Sequence, residues 1–269
     1  MAAKNLGSTG LDGASLNLGD QPHADSAGQP WAGRSFESNE FADDNGLIDE
    51  ALGSALAGFA AGTGGVEAVV DAFRTARLLI PLIAEAGDVG YTDAGKLVDK
   101  TQELSIVTVA APDGRKALPI FSSVDAMKRW NAEARPVPAD GVRVALAAAG
   151  EDTDLIVLDP GSDTQFVLRR PAVWAVAQSL PWSPGWSDPD VIAEFERSIA
   201  GEPAAISISL GDGDPRALLA APETLISLRL VPGLDRDQVN AVLESLQATW
   251  SQSEIIATRI DSLSLQLTA

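Results

Sequence analysis

Three arginines offer the most direct chemistry in this 269-residue sequence. Arg169 and Arg170 are adjacent, and Arg135 directly precedes a proline. A guanidinium group donates paired hydrogen bonds to a carboxylate or phosphate, so three that converge would bind an anion. In an acidic chain, an arginine more often pairs with a nearby carboxylate, such as Asp159 or Glu133 here. The sequence therefore leaves two interpretations open: the three arginines form an anion site, or each makes an ordinary structural ion pair.

Other reactive side chains are scarce or lack the neighbours that their chemistry needs. The sequence has no cysteine, which excludes disulfides, thiolate metal sites and cysteine nucleophiles, and its one histidine, His23, lies in a polar N-terminal stretch. The serines lack a Gly-x-Ser-x-Gly motif. Asp152 and Asp154 lack the glycine and distal glutamate of a calcium loop. The glycine run at 62–65 lacks the Lys-Ser or Lys-Thr pair of a nucleotide loop. We expect no catalytic residue, no metal site and no cofactor.

Five aromatic residues are candidates for contact with a partner protein. Trp31, Phe36 and Phe41 lie late in an N-terminal arm, and Trp182 and Trp186 lie in a proline-containing segment. Aromatic side chains supply large apolar area both in protein cores and at interfaces. Packing against the chain's own core is therefore the alternative for all five.

The charge of the chain limits the partners that it could bind. The sequence has 38 acidic and 19 basic residues, a net charge of -19, and the part after Trp186 has 13 acidic residues against 5 basic ones. This charge opposes nucleic-acid binding and favours a protein partner with a basic face. We find no signal peptide and no apolar run that would span a membrane, so we expect a cytoplasmic protein. The sequence does not indicate an oligomeric state.

The chain divides by composition into an arm, two folded regions and a linker. Residues 1–46 are rich in Gly, Ser, Asn and Asp, which predicts a disordered acidic arm. Residues 47–180 and 188–269 each mix helix and strand patterns, and the Pro-Trp-Ser-Pro-Gly-Trp-Ser segment at 181–187 predicts a linker between them. The predicted fold class is α+β, with two small mixed modules built of antiparallel hairpins and flanking helices.

The first region has helical patterns that begin near Asp49 and Val66, followed by an apolar strand at 76–83. Pro81 inside that strand predicts an edge position or a bulge. Turn sequences at 112–114 and 159–161 predict two hairpins, each followed by a helix. Pro171 fits the first turn of the second of these helices. Residues 142–149 fit a helix or a strand.

The second region begins with a helical pattern at 188–199, followed by strands at 205–210 and 224–230. Asp235 and Gln238 form a capping-box pattern at the start of a further helix. Two strands, at 255–260 and 263–267, are predicted to end the chain.

Four segments of the first region resemble the SseB family, whose members are described as enhanced-serine-sensitivity proteins. They are residues 77–83, 112–122, 134–138 and 158–171, and their order and spacing carry the resemblance. The Trp-Ala-Gly-Arg sequence of the arm resembles the actinobacterial branch of this family. The resemblance covers about residues 66–180. It implies an α+β cytoplasmic protein without established catalytic residues.

The scarcity of nucleophiles, bases and metal ligands favours a binding or regulatory function over catalysis. In the actinobacterial branch, the genes lie near those of translation initiation factor three and ribosomal proteins, which suggests a link to translation or to serine metabolism. We therefore expect a non-enzymatic protein-binding or regulatory protein. The alternative is an enzyme that acts on an anionic small molecule held by Arg135, Arg169 and Arg170.

Overall fold

The computed structural model describes residues 44–85, 89–91, 97–99, 103–151 and 153–268. The arm predicted at 1–46 lies almost wholly outside the described residues, and so do Trp31, Phe36 and Phe41. The described chain combines helices with antiparallel and parallel strand pairs, which confirms the predicted α+β class. None of its helices is both long and apolar enough to cross a membrane.

The first region contains five helices among the described residues. They are α1 (Glu50–Ala60), α2 (Val66–Thr75), α3 (Val124–Trp130), α4 (Gly141–Gly150) and α5 (Arg170–Ala177). Polar side chains define where several of them begin: Asp49 accepts hydrogen bonds from the first turn of α1, Ser123 caps α3 and Asp140 caps α4. Residues 142–149, which fit helix or strand by sequence, are therefore helical.

The strands of the first region form two sheets and a separate hairpin. In chain order they are β1 (Arg77–Glu85), β2 (Val89–Tyr91), β3 (Leu97–Asp99), β4 (Glu103–Ile106), β5 (Val109–Ala110), β6 (Lys116–Ile120), β7 (Arg135–Asp140), β8 (Leu155–Leu158) and β9 (Phe166–Leu168). One sheet has the order β4-β1-β7 and the other β5-β6-β8-β9, while β2 pairs with β3. The two predicted hairpins are confirmed as β5–β6 and β8–β9, and β6 pairs with β8 in parallel.

Pro81 lies in the middle strand of its sheet, so the predicted edge or bulge is wrong. The pairing of β1 with β7 runs without a register shift and places Pro81 opposite Pro136. Leu79 donates its N–H to Phe121, away from β7, and alternate residues of a strand direct their nitrogens to the same side. The nitrogen of Pro81 therefore points to the side of β1 on which β4 lies. On that side β4 pairs with β1 only from Leu82 onward, so no strand of the described chain is paired opposite Pro81 there. Proline fits there because no described ladder partner needs its missing donor.

The second region contains one sheet and three helices among the described residues. They are α6 (Pro189–Ile199), β10 (Ala205–Asp212), β11 (Thr224–Leu230), α7 (Arg236–Ser251), α8 (Glu254–Arg259) and β12 (Leu263–Thr268). The strand order is β10-β11-β12, with β11 and β12 parallel. The capping box of Asp235 and Gln238 is confirmed at the start of α7. Phe195 and Trp250 pack edge to face in the core, with ring centroids 5.2 Å apart.

The strand predicted at 255–260 is wrong, because these residues form the helix α8. The Oγ atom of Ser253 accepts a hydrogen bond from the N–H of Ile256, and Glu254 occupies the first turn. Ile256 is buried within α8, and Ile260, the extended residue that ends the helix, is buried in the same apolar cluster. The cap at Ser253 outweighs the strand preference of the β-branched residues in this segment.

The loop between β10 and β11, residues 213–223, packs against the first region. Ala217 lies in the apolar cluster around α1, α2 and α5, and Leu219 lies in a second cluster with Ala117 and Leu155. The N–H of Val167 in β9 also donates to the carbonyl of Ala217 at 2.8 Å. The boundary at 181–187 stays a prediction. If the chain were cut there, the two regions could separate only by breaking these contacts.

Candidate functional site

Arg169 is the centre of the most extensive side-chain network of the described chain. It directly precedes α5, and its side chain is 7% exposed. Its guanidinium donates to Asp214 Oδ2 at 2.7 Å and to Asp261 Oδ2 at 3.2 Å. Further hydrogen bonds reach Ser262 Oγ at 3.1 Å and the carbonyl of Ala221 at 2.7 Å. The charge of Arg169 is therefore engaged by two carboxylates of this chain.

Asp261 is shared between Arg169 and a second arginine. Arg115 binds both oxygens of Asp261, at 2.7 and 2.9 Å, and also donates to Asp113 at 2.7 Å. Burial is the largest single influence on Asp261 and would raise its pKa, but the hydrogen bonds and charges of Arg115 and Arg169 together hold the pKa below its usual value. Asp261 therefore stays charged and ties the β5–β6 turn to the connection between α8 and β12.

Arg170 reaches the same connection by a different contact. It donates to the carbonyls of Ala257 and Ile260, both at 2.8 Å. These carbonyls lie at the C-terminal end of α8, where a cation is favourable. Arg135 is exposed on β7, at the edge of another sheet. Of the three predicted anion ligands, Arg169 and Arg170 thus converge on residues 257–262 of the chain itself.

Asp159, one of the acidic partners expected for an arginine, accepts hydrogen bonds from Ser122 and Thr164 instead. One of its carboxylate oxygens accepts from the N–H of Ser122 at 2.8 Å, and the other accepts from the hydroxyls of Ser122 at 2.6 Å and Thr164 at 2.9 Å. Asp159 is 1% exposed and has a φ of 48°. It therefore stabilises the turn after β8 and connects it to the end of β6.

Sequence reasoning missed Asp214, Glu223 and Asp261. Each is one acidic residue among 38 and lies far along the chain from Arg169, so no local motif distinguishes it. A weak signal existed in Arg169 and Arg170, because two adjacent cations before a helix need nearby partners. The partners themselves follow only from the tertiary fold.

An open groove lies on the surface between α4 and α5. Its volume is about 350 Å³, and its lining is mainly apolar: Ala145, Ala149, Thr153, Asp154, Val173, Trp174, Ala177 and Gln178. Trp174 is 58% exposed and Leu146, which neighbours Ala149 on the surface of α4, is 55% exposed. Among the described lining residues, Asp154 is the one charged side chain, and the exposed Glu151 follows α4 directly. Geometrically, this groove could accept an apolar anchor with a cation beside it.

Trp182 and Trp186, the other sequence candidates, are partly buried. Both pack against the apolar cluster of the first region. The Nε1 atom of Trp182 is buried and has no hydrogen-bond partner among the described residues. The partial burial of both rings agrees with the alternative that they pack against the chain's own core. A contact of either residue with a partner protein stays a prediction.

Comparison with protein families gives a match in the first region. Residues 52–175 match the family model described as the SseB protein N-terminal domain. No curated protein and no solved structure matches the chain. The matched residues run from α1 into α5 and include Arg115, Arg169 and most of the groove lining, up to Trp174. Residues 52–175 therefore form an SseB protein N-terminal domain, as their motifs predict.

Proposed function

We propose that this chain is a non-enzymatic protein-binding or regulatory protein, and that a partner with a basic face docks on the groove between α4 and α5. The observation that carries the proposal is the exposure of Trp174. Of the tryptophans in the described chain, Trp130, Trp182, Trp186 and Trp250 are buried or half-buried, whereas Trp174 is 58% exposed. Tryptophan is enriched among the residues that dominate binding energy at protein interfaces.

The groove has the composition that an interface centre needs. Its floor of small side chains, Ala145, Ala149 and Ala177, leaves room for an apolar side chain of the partner. Trp174 supplies exposed apolar area in the groove, and Leu146 supplies more on the adjoining surface of α4. Burying an aromatic side chain of this kind contributes on the order of 2 kcal/mol or more to binding.

The charge of the chain favours a basic partner. The net charge is -19, and Glu151 and Asp154 lie exposed near the groove. Complementary charge speeds the encounter of two proteins and is weakened by salt, whereas apolar contacts set the dissociation rate. A link to translation or to serine metabolism belongs to this proposal, and the identity of the partner would decide between them.

The arginine network supports a binding protein over an enzyme that holds an anion. Asp214 and Asp261 already pair with Arg169, and backbone carbonyls of α8 already engage Arg170. A separate anion would have to compete with these groups, which are held by the fold. We therefore favour the protein-binding function.

The proposal can be tested by affinity capture with quantitative mass spectrometry, followed by binding kinetics with the purified partner. We expect Trp174→Ala to reduce capture of the basic protein that the unchanged chain captures by at least about tenfold. Leu146→Ala should reduce capture of the same protein to a smaller extent. Ile206→Ala is the matched control, because Ile206 is 43% exposed on β10. Equal capture by all variants, or an acidic partner, would contradict the proposal.

A further inference from the structure

A second, smaller cavity lies beneath the loop that joins β10 to β11. Aliphatic side chains of α2, β9 and α5 form one wall, and Phe166, Trp182 and Trp186 contribute aromatic rings. Asp212 and Glu223 line its polar side, together with Arg169 and Asp214. The space open to the centre of a water-sized sphere is about 30 Å³, which suits one compact group rather than a large ligand. We call this space the Trp182–Glu223 cavity.

The carboxylates of this cavity outnumber the cations available to them. Arg169 is paired with Asp214 and Asp261, so its charge is already balanced. Among the described residues, no arginine or lysine forms an ion pair with Asp212 or Glu223. Burial, the largest influence, raises the pKa of Asp212 and raises that of Glu223 to about 7, which is consistent with carboxylates that lack a close cation.

Several charged groups face Glu223 from the elements packed around it. After burial, the backbone N–H of Asp261, before β12, lowers the pKa of Glu223 by donating to it, the negative charge of Asp261 raises it, and the charges of Arg169 and Arg170, at the start of α5, lower it. The N–H of Asp261 donates to Glu223 Oε2 at 2.8 Å, and the hydroxyl of Ser262 accepts from the N–H of Glu223 at 3.0 Å. Within the described chain, these contacts leave the Oε1 atom of Glu223 available to a ligand.

The aromatic side completes the chemistry of the cavity. The faces of aromatic rings attract cations, most strongly in tryptophan. The N–H of Trp182 is itself buried and has no acceptor within the described chain, so the rings, and not this donor, line the cavity.

We propose that the Trp182–Glu223 cavity binds an organic ammonium group, of which a methylated ammonium is the best fit. The rings of Trp182, Trp186 and Phe166 contact the methyl groups, and Asp212 and Glu223 supply the opposite charge. An anion is excluded by the carboxylates. A bare metal ion is disfavoured by the apolar walls, and the described residues contain no cluster of three or more side chains suited to one.

The first test compares a cation with a neutral ligand of the same shape and with a small anion. Choline and its neutral isostere 3,3-dimethylbutan-1-ol are titrated into the full chain at pH 8, with calorimetry and tryptophan fluorescence as readouts, and butyrate serves as the anionic probe. We expect choline to bind at least about tenfold more tightly than either. Equal affinities of choline and its isostere, stronger binding of butyrate, or no binding of choline would overturn the proposal.

The second test changes the cavity. Glu223→Gln and Asp212→Asn are each expected to weaken choline binding about tenfold, while Asp237→Asn, on the exposed face of α7, leaves it unchanged. Affinity for the unchanged chain should rise between pH 6 and pH 8 as Glu223 loses its proton. Choline binding that is insensitive to both cavity variants and to pH would overturn the assignment.

A third arm distinguishes the two sources of such a group. Nα-acetyl-Nε-trimethyl-lysine amide presents the same cation on a protein side chain. Tighter binding of this probe than of choline would assign the cavity to a modified lysine of a partner, and weaker binding would assign it to a free small molecule. Both results require the cation site that we propose.

Discussion

Glu223→Gln is expected to make the fold more stable at pH 8 while leaving its stability near pH 4 almost unchanged. Glu223 is 3% exposed, and burial raises its pKa to about 7 from an ordinary value of 4.5. The folded chain therefore holds this proton more tightly than the unfolded chain does. The contribution of Glu223 to stability is full below pH 4.5, falls as the pH rises from 4.5 to 7, and stays low above pH 7.

The size of this effect follows from the two pKa values. A pKa difference of one corresponds to about 1.4 kcal/mol, so values of about 7 and 4.5 correspond to a change of about 3 kcal/mol in the free energy of unfolding. Glutamine keeps an oxygen that can accept from the N–H of Asp261 but carries no charge at any pH. The gain of the variant over the unchanged chain should therefore grow from near zero at pH 4 to about 3 kcal/mol at pH 8.

Urea unfolding at a series of pH values, followed by circular dichroism, measures this difference directly. Glu196→Gln is the matched control, because Glu196 is exposed on α6 and should give no comparable pH-dependent gain. The difference between variant and unchanged chain isolates Glu223 from all other titrating groups. A pH-independent difference, or a loss of stability at pH 8, would refute the reasoning about the buried carboxyl group.

Two further substitutions test the contacts around this cavity. Arg169→Met should lower the free energy of unfolding by about 3–5 kcal/mol, because Asp214 and Asp261 lose a buried partner. Arg216→Met is the control, because Arg216 is exposed in the loop that contains Asp214 and its loss should change the free energy of unfolding little. Equal effects of the two variants in urea unfolding would contradict the role of the network. Gly185→Ala should cost about 1–3 kcal/mol in the same assay, since its Cβ would lie 2.9 Å from a side-chain carbon of Ile260, whereas Gly201→Ala meets open space and should be tolerated. Tolerance of both glycine changes would mean that residues 181–187 can move away from α8.

Local patterns of the sequence predict much of this fold. The capping box of Asp235 and Gln238 and the turn at 112–114 depend only on residues a few positions apart, and both structures form where the pattern places them. Residues 255–260 were mispredicted because their β-branched side chains favour a strand, while the cap at Ser253 favours a helix. Pro81 was mispredicted because its neighbours in the sheet lie far along the chain.

The candidate sites depend on longer-range contacts than a single sequence can supply. Arg169 bonds to Asp214, 45 positions away, and to Asp261, 92 positions away, and no spacing rule connects them. The sequence identified Arg169 as chemically notable and left open that its partners belong to the chain itself, but it did not indicate which carboxylates they are. Trp174 lies in the helix whose first turn Pro171 fits, and its exposure follows only from how α4 and α5 pack.

The central claim, docking of a basic partner on the α4–α5 groove, is tested most directly by binding kinetics with the captured partner at low and physiological salt. We predict that Trp174→Ala increases the dissociation rate by at least about tenfold at both salt concentrations, while added salt slows association of the unchanged chain and of the Ile206→Ala control alike. Association that is indifferent to salt, or a dissociation rate that Trp174→Ala leaves unchanged, would contradict the account.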